Sequence, residues 1–92
     1  MTLLTPDQVE VELAATPGWG LADGQIVKTV TLKDFGDALR YVNAVGYLAE
    51  KANHHPDIAM SWNKVTLTLV SHSAGGLTDR DFALARSVNA LD

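Results

Sequence analysis

Apolar side chains return at helical spacing in three stretches of this chain and at every second residue in the stretches between them. Thr5 followed by Pro6 reads as a helix cap with proline at the first helical position. The helix expected over residues 6–15 turns Val9 and Leu13 inward, with Val11 at the margin, and Thr16-Pro17-Gly18 stops it. Asp34 caps a long second helix, with Asp37 at its third position. Phe35, Ala38, Leu39, Val42, Val45, Gly46 and Ala49 recur along it at helical spacing, and Tyr41 and Leu48 widen the apolar face beyond what one sheet needs. It ends near Asn53, because Pro56 prevents continuation. Thr78 caps the last helix, with Asp81 three residues on, and Phe82, Leu84, Ala85, Val88 and Leu91 supply its buried side.

The period-two stretches pair off. Residues 19–21 and 25–32 flank Ala22-Asp23-Gly24, a hairpin signal, and residues 26–32 are rich in the β-branched types that suit strands. Residues 58–62 and 65–70 alternate likewise, with Asn63-Lys64 read as their two-residue turn and Trp62 placed in the core beside Ile58 and Met60. His72 falls just past the last strand, and residues 73–77 read as a loop. The order is α-β-β-α-β-β-α. Hairpins make antiparallel pairs, so the expected class is α+β: a four-stranded antiparallel sheet with three helices packed on one face. Such a sheet keeps two open edges, and pairing between subunits would close one.

Composition narrows the classes. Ninety-two residues make one domain, spanning 1–92, and an apolar share of 47% is generous for that length, which points to a homo-oligomer. A net charge of −4 without a Lys/Arg cluster argues against nucleic acid. No apolar run reaches the ~18 residues of a membrane helix, and the first five residues lack the basic and apolar regions of a signal peptide, so the cytoplasm is the expected location. The absence of cysteine removes disulfides and cysteine-type zinc sites.

All three histidines, His54, His55 and His72, lie between positions 54 and 72. Imidazole, with an ordinary pKa of about 6.5, exchanges protons near neutral pH. Plain structural readings exist for each group. His54 and His55 suit a helix C-terminus, His72 a polar surface, Asp81 a capping box, and Gly75-Gly76 a turn. Three histidines and a carboxylate could also ligate zinc or iron, although adjacent histidines diverge unless the backbone bends sharply, and the helical i, i+4 spacing is missing. Acid–base catalysis without a metal is the third reading. The helix end carrying His54 and His55 and the strand end carrying His72 would meet at one rim of the sheet, with the glycine loop and the start of the last helix as the far wall.

The register of Glu50, His54-His55-Pro56, Trp62, His72 and Asp81 resembles the signature of the pterin-4a-carbinolamine dehydratase family. Trp62-Asn63-Lys64-Val65, Leu67-Thr68-Leu69, Gly75-Gly76-Leu77-Thr78, Leu84-Ala85, Lys33-Asp34-Phe35 and Trp19 fit it as well, so the likeness covers nearly the whole chain and is weakest over residues 1–15. The resemblance implies dehydration of 4a-hydroxytetrahydropterins to quinonoid dihydropterins with no metal or redox cofactor. It ties the chain to the pathway of the aromatic amino acid hydroxylases. It also implies that His54, His55 and His72 line the pterin site. Within that picture His54 and His72 transfer protons and His55 binds and orients the substrate. Asp81 accepts from the pterin or orients a histidine, Glu50 holds His54 or His55 in the needed tautomer, and Trp19 is either an aromatic wall or a core residue. The competing class is a binding or scaffold protein. The family includes an animal member that stabilises dimers of a homeodomain transcription factor, and relatives without the histidines serve other proteins. Retention of all three histidines here favours an enzyme.

Overall fold

The computed structural model describes residues 2–92. Helix α1 is Pro6–Ala14, and strands β1 and β2 are Gly20–Ala22 and Gln25–Thr31. Helix α2 is Phe35–Ala52, strands β3 and β4 are Asp57–Ser61 and Lys64–Leu69, a 3-10 turn takes His72–Ala74, and helix α3 is Asp79–Asn89. The expected α-β-β-α-β-β-α order is the observed one, with the single added turn at His72.

Each helix starts where its cap predicts. Thr5 Oγ1 accepts the Gln8 N–H at 3.2 Å while Gln8 Oε1 accepts the Thr5 N–H at 2.8 Å, a reciprocal box at α1. Asp34 Oδ1 accepts the Asp37 N–H at 2.8 Å at α2. The β1–β2 turn is Asp23-Gly24, with φ of 53° and 75°, a pair that needs a residue tolerant of the left-handed region followed by glycine.

The strand order is β1-β2-β4-β3, antiparallel throughout. Ile26, Lys28, Val65, Leu67 and Leu69 alternate onto one face, which the helices cover, and α2 packs on both β4 and α3. Phe82, Ile26, Leu67, Leu69, Val45 and Val65 are fully buried at its centre. Truncating such a side chain costs roughly 2–5 kcal/mol.

Several placements differ from expectation, each for a packing reason. The β3–β4 turn is Trp62-Asn63, one residue earlier than Asn63-Lys64, with Trp62 at φ 55°. The shift takes Trp62 off the inner face; it is 65% exposed and lies beside Phe35, ring centroids 6.2 Å apart. Val11 and Leu91 are exposed, because α1 offers the sheet only a narrow stripe around Val9 and α3 ends at Asn89. On α2 the core stripe is Ala38, Tyr41, Val45 and Ala49, while Phe35 and Leu39 face outward. Tyr41, read as a margin, is therefore central. None of the described helices is long and apolar enough to cross a membrane.

Candidate active site

The sheet register gathers the chemistry at one rim. Asp57 pairs with Thr68 and Ile26 with Leu69, so the start of β3, the end of β4 and the β1–β2 turn lie together. His54 and His55 lead into β3, and His72 follows β4.

The two adjacent histidines part because the chain bends sharply between α2 and β3. Asn53 sits in the left-handed region at φ 50°, and the His54 N–H bonds back to the Ala49 carbonyl at 3.1 Å, a helix closure of the Schellman kind. His54 thereby turns inward and His55 outward. His54 is buried, and its Nε2 lies 2.5 Å from Asp81 Oδ1. His55 is exposed, with Nε2 2.5 Å from Glu50 Oε2, so Glu50 partners His55 and not His54. His72 projects from the exposed 3-10 turn closed by Gly75, whose φ of 79° favours glycine.

Asp81 is fully buried and serves two structures at once. Its Oδ2 accepts the Thr78 N–H at 2.9 Å, closing the α3 capping box, and also the Ser71 hydroxyl at 2.9 Å. Its Oδ1 faces His54. Asp81 therefore closes the α3 cap and meets His54 at once, and both carboxylate oxygens are occupied by protein groups. Ser71 Oγ and Thr78 Oγ1 lie 2.8 Å apart, and both residues are buried.

Arg80, the residue before Asp81, reaches back to the end of α2. Its Nη2 donates to the Asn53 carbonyl and, at 3.3 Å, to that of Ala52. A cation on those terminal carbonyls complements the helix dipole. His54 and Arg80 also border a depression of about 190 Å³ with Ala52, Ala83, Leu84 and Ser87.

Trp19 is not brought to the histidines. Its indole Nε1 donates to Asn89 Oδ1 at 3.0 Å, at the opposite end of α3 from Asp81. Eight residues of helix at about 1.5 Å each separate the two ends by roughly 12 Å. Among the described residues no group of three or more His, Asp or Glu side chains is arranged to hold a metal ion. The hydroxyl of Ser71 and the guanidinium of Arg80 were not singled out from sequence, and Thr78 was read only as a helix cap. Ser71 did leave a signal: it continues the inward alternation of Val65, Leu67 and Leu69, a polar residue on an apolar stripe.

Comparison with known proteins gives a consistent result. The family model for pterin 4 alpha carbinolamine dehydratase matches residues 2–91. A protein of Acidobacterium capsulatum, provisionally named a pterin-4-alpha-carbinolamine dehydratase, is 48% identical over 91 residues, covering 99% of each chain. One from Chloroflexus aurantiacus with the same provisional name is 43% identical, over 99% of this chain and 98% of its own. The crystal structure of a transcriptional coactivator/pterin dehydratase from Brucella melitensis superposes with a TM-score of 0.91 at 34% identity, over 96% of both chains. A pterin dehydratase-like protein identified as a RuBisCO assembly factor of the alpha-carboxysome shares the fold, with a TM-score of 0.65 at 22% identity over 79% of this chain and 84% of its own.

Proposed function

The chain belongs to the pterin 4 alpha carbinolamine dehydratase family, and we propose that it converts a 4a-hydroxytetrahydropterin to the quinonoid dihydropterin and water. The bond from C4a to its hydroxyl oxygen breaks, and the hydroxyl leaves as water with a proton from an acid. N5 gives its proton to a base, and its electron pair closes the N5–C4a double bond. Two imidazoles in opposite protonation states supply both transfers, each worth typically ~10²- to 10⁴-fold in rate.

In this reading His54 and His72 move the protons and His55 binds and orients the substrate. Glu50 steadies His55, and Asp81 steadies His54. A separate two-electron reduction of the quinonoid product would restore the tetrahydropterin that an aromatic amino acid hydroxylase consumes. The observation that carries the reading is the buried His54–Asp81 pair at the rim shared with His55 and His72. A carboxylate that fixes one imidazole nitrogen leaves the other for chemistry.

Stopped-flow absorbance on freshly generated 4a-hydroxytetrahydropterin tests it, with the uncatalysed reaction as control. Fast turnover, reduced about 10²-fold or more in both His54→Ala and His72→Ala, is the expected result. A wild-type rate equal to the control would remove the dehydratase reading in favour of a scaffold protein.

We also propose a homodimer or homotetramer. The outer stripe of α2 leaves Phe35, Leu39 and Tyr47 exposed, Ile58 stands beside it on β3, and β3 is an open sheet edge. Sedimentation of the purified chain as a monomer at micromolar concentration would overturn this.

A further inference from the structure

The buried hydroxyls behind Asp81 have a direction. Thr78 Oγ1 already accepts the Arg80 N–H, at 3.3 Å, so its own proton is free to donate to Ser71 Oγ, 2.8 Å away. Ser71 then donates its single proton to Asp81 Oδ2 at 2.9 Å. The Thr78 N–H arrives at the same oxygen. With two donors on Oδ2, Oδ1 is the oxygen left for His54 Nε2. Imidazole is ordinarily the stronger base of the two, so the proton between them belongs to nitrogen. Ser71, Thr78 and Asp81 are almost wholly withdrawn from solvent, so water does not compete for these bonds. The backbone holds Ser71 in place as well. Its N–H bonds the Gly76 carbonyl at 3.0 Å, and its carbonyl accepts from Gly75 at 3.1 Å. His54 Nδ1 has no hydrogen-bond partner in the protein and is not sealed from solvent, Tyr41 Oη being the one buried unpartnered side-chain polar atom among the described residues.

We propose that Ser71 and Thr78 are positioning residues, whose hydroxyls form a one-way relay into Asp81 that locks neutral His54 as the Nε2–H tautomer and leaves Nδ1 as the nitrogen that meets the substrate. The assignment of Nδ1 rests on the dehydratase reading; the tautomer lock stands on the geometry alone. The α3 cap and the protonation pattern of His54 are then one device. A change that loosens the cap scrambles the imidazole.

Long-range ¹H–¹⁵N correlation spectra of ¹⁵N-histidine-labelled full-length protein test the lock, read above the titration of His54. Wild type is expected to show the Nε2–H pattern. Ser71→Ala is expected to show mixed tautomers, with kcat about 10-fold lower and KM little changed, the factor carried by one hydrogen bond of ordinary net worth. Ser71→Thr, which keeps the hydroxyl, is expected to restore both readings. If Ser71→Ala does not fold, Ser71→Cys, close in volume and a weak donor, is read by the same two criteria. A Ser71→Ala protein that keeps the Nε2–H pattern and a kcat within twofold of wild type overturns the proposal. So does a wild-type His54 found as Nδ1–H. Locked His54 in a chain with no dehydratase turnover would remove the function and the use of Nδ1, and leave the relay established.

Discussion

Helix α3 carries a polar cluster at each end, buried at the first and part-buried at the second, and the two are built differently. At the N-terminal end Thr78 and Ser71 donate in turn toward Asp81, and His54 Nε2 meets the other oxygen of the same carboxylate, which leaves the second imidazole nitrogen without a protein partner. At the C-terminal end the cluster closes on itself. Lys28, buried on the sheet face, donates to Asn89 Oδ1 at 2.7 Å and to Asp92 Oδ2 at 2.6 Å. Trp19 shares the Asn89 oxygen, and the Asn89 amide returns a bond to the Pro17 carbonyl at 2.9 Å. Among the described residues the one buried side-chain polar atom without a partner is the Tyr41 hydroxyl, which feels the Asp92 carboxylate. On the proposed function the first cluster keeps one basic atom available for proton transfer, whereas the second consumes its donors internally.

The largest expected effect comes from breaking the open cluster at its centre. Asp81→Ala removes the acceptor for Ser71, Thr78 and His54 together and is expected to cost about 2–4 kcal/mol, combining a lost cap with stranded buried donors. Turnover per folded molecule should fall about 10²-fold or more. Urea denaturation and stopped-flow rates on the same sample check the two halves. Loss of stability with unchanged turnover would reduce Asp81 to its capping duty.

Asp92→Ala breaks the closed cluster and should move stability alone. Lys28 keeps Asn89, and the Asp92 side chain is half exposed, so solvent discounts the ion pair to about 1 kcal/mol. Turnover per folded molecule within twofold of wild type is the expected companion; a tenfold fall would join the two ends functionally.

The smallest effect belongs to Tyr41. Burial, aided by the Asp92 carboxylate, pushes its phenol up to about 12 from an ordinary 10. Its folded form therefore holds the proton more tightly than the unfolded chain. The associated stability is whole below pH 10 and is lost as pH rises from there through about 12. Tyr41→Phe should erase that alkaline loss and leave stability at pH 7 unchanged or up to about 1 kcal/mol higher, since a hydroxyl without a partner is removed. Thermal melts at pH 7 and 10.5 measure it; a clear loss at pH 7 would mean the hydroxyl has a partner.

Much of this was legible in the residues themselves. Thr5, Asp34 and Thr78 announced the three helix starts because a cap acts within one turn of chain. The alternation of Val65, Leu67 and Leu69 announced an inward face, and Glu50, His54, His55, His72 and Asp81 stood out as a candidate set by residue type and register. Trp62 misled, because a turn displaced by one residue reverses which face of the sheet a side chain takes. Tyr41 and Leu39 exchanged places for a related reason. Both fall on a broad apolar arc, and only the position of β4 and α3 against α2 decides which part of the arc is covered.

The sequence by itself determined the element order, the caps and the list of ionisable groups, since these depend on neighbours within a few residues and on side-chain chemistry. The tertiary structure alone decided the pairing: Asp81 with His54 across 27 positions of chain, Glu50 with His55, and Trp19 with Asn89 instead of the histidine rim. Local propensity acts over a turn or a hairpin. Which carboxylate meets which imidazole depends on the left-handed bend at Asn53 and on the packing of α2 against α3, and both take their final form only when the core closes.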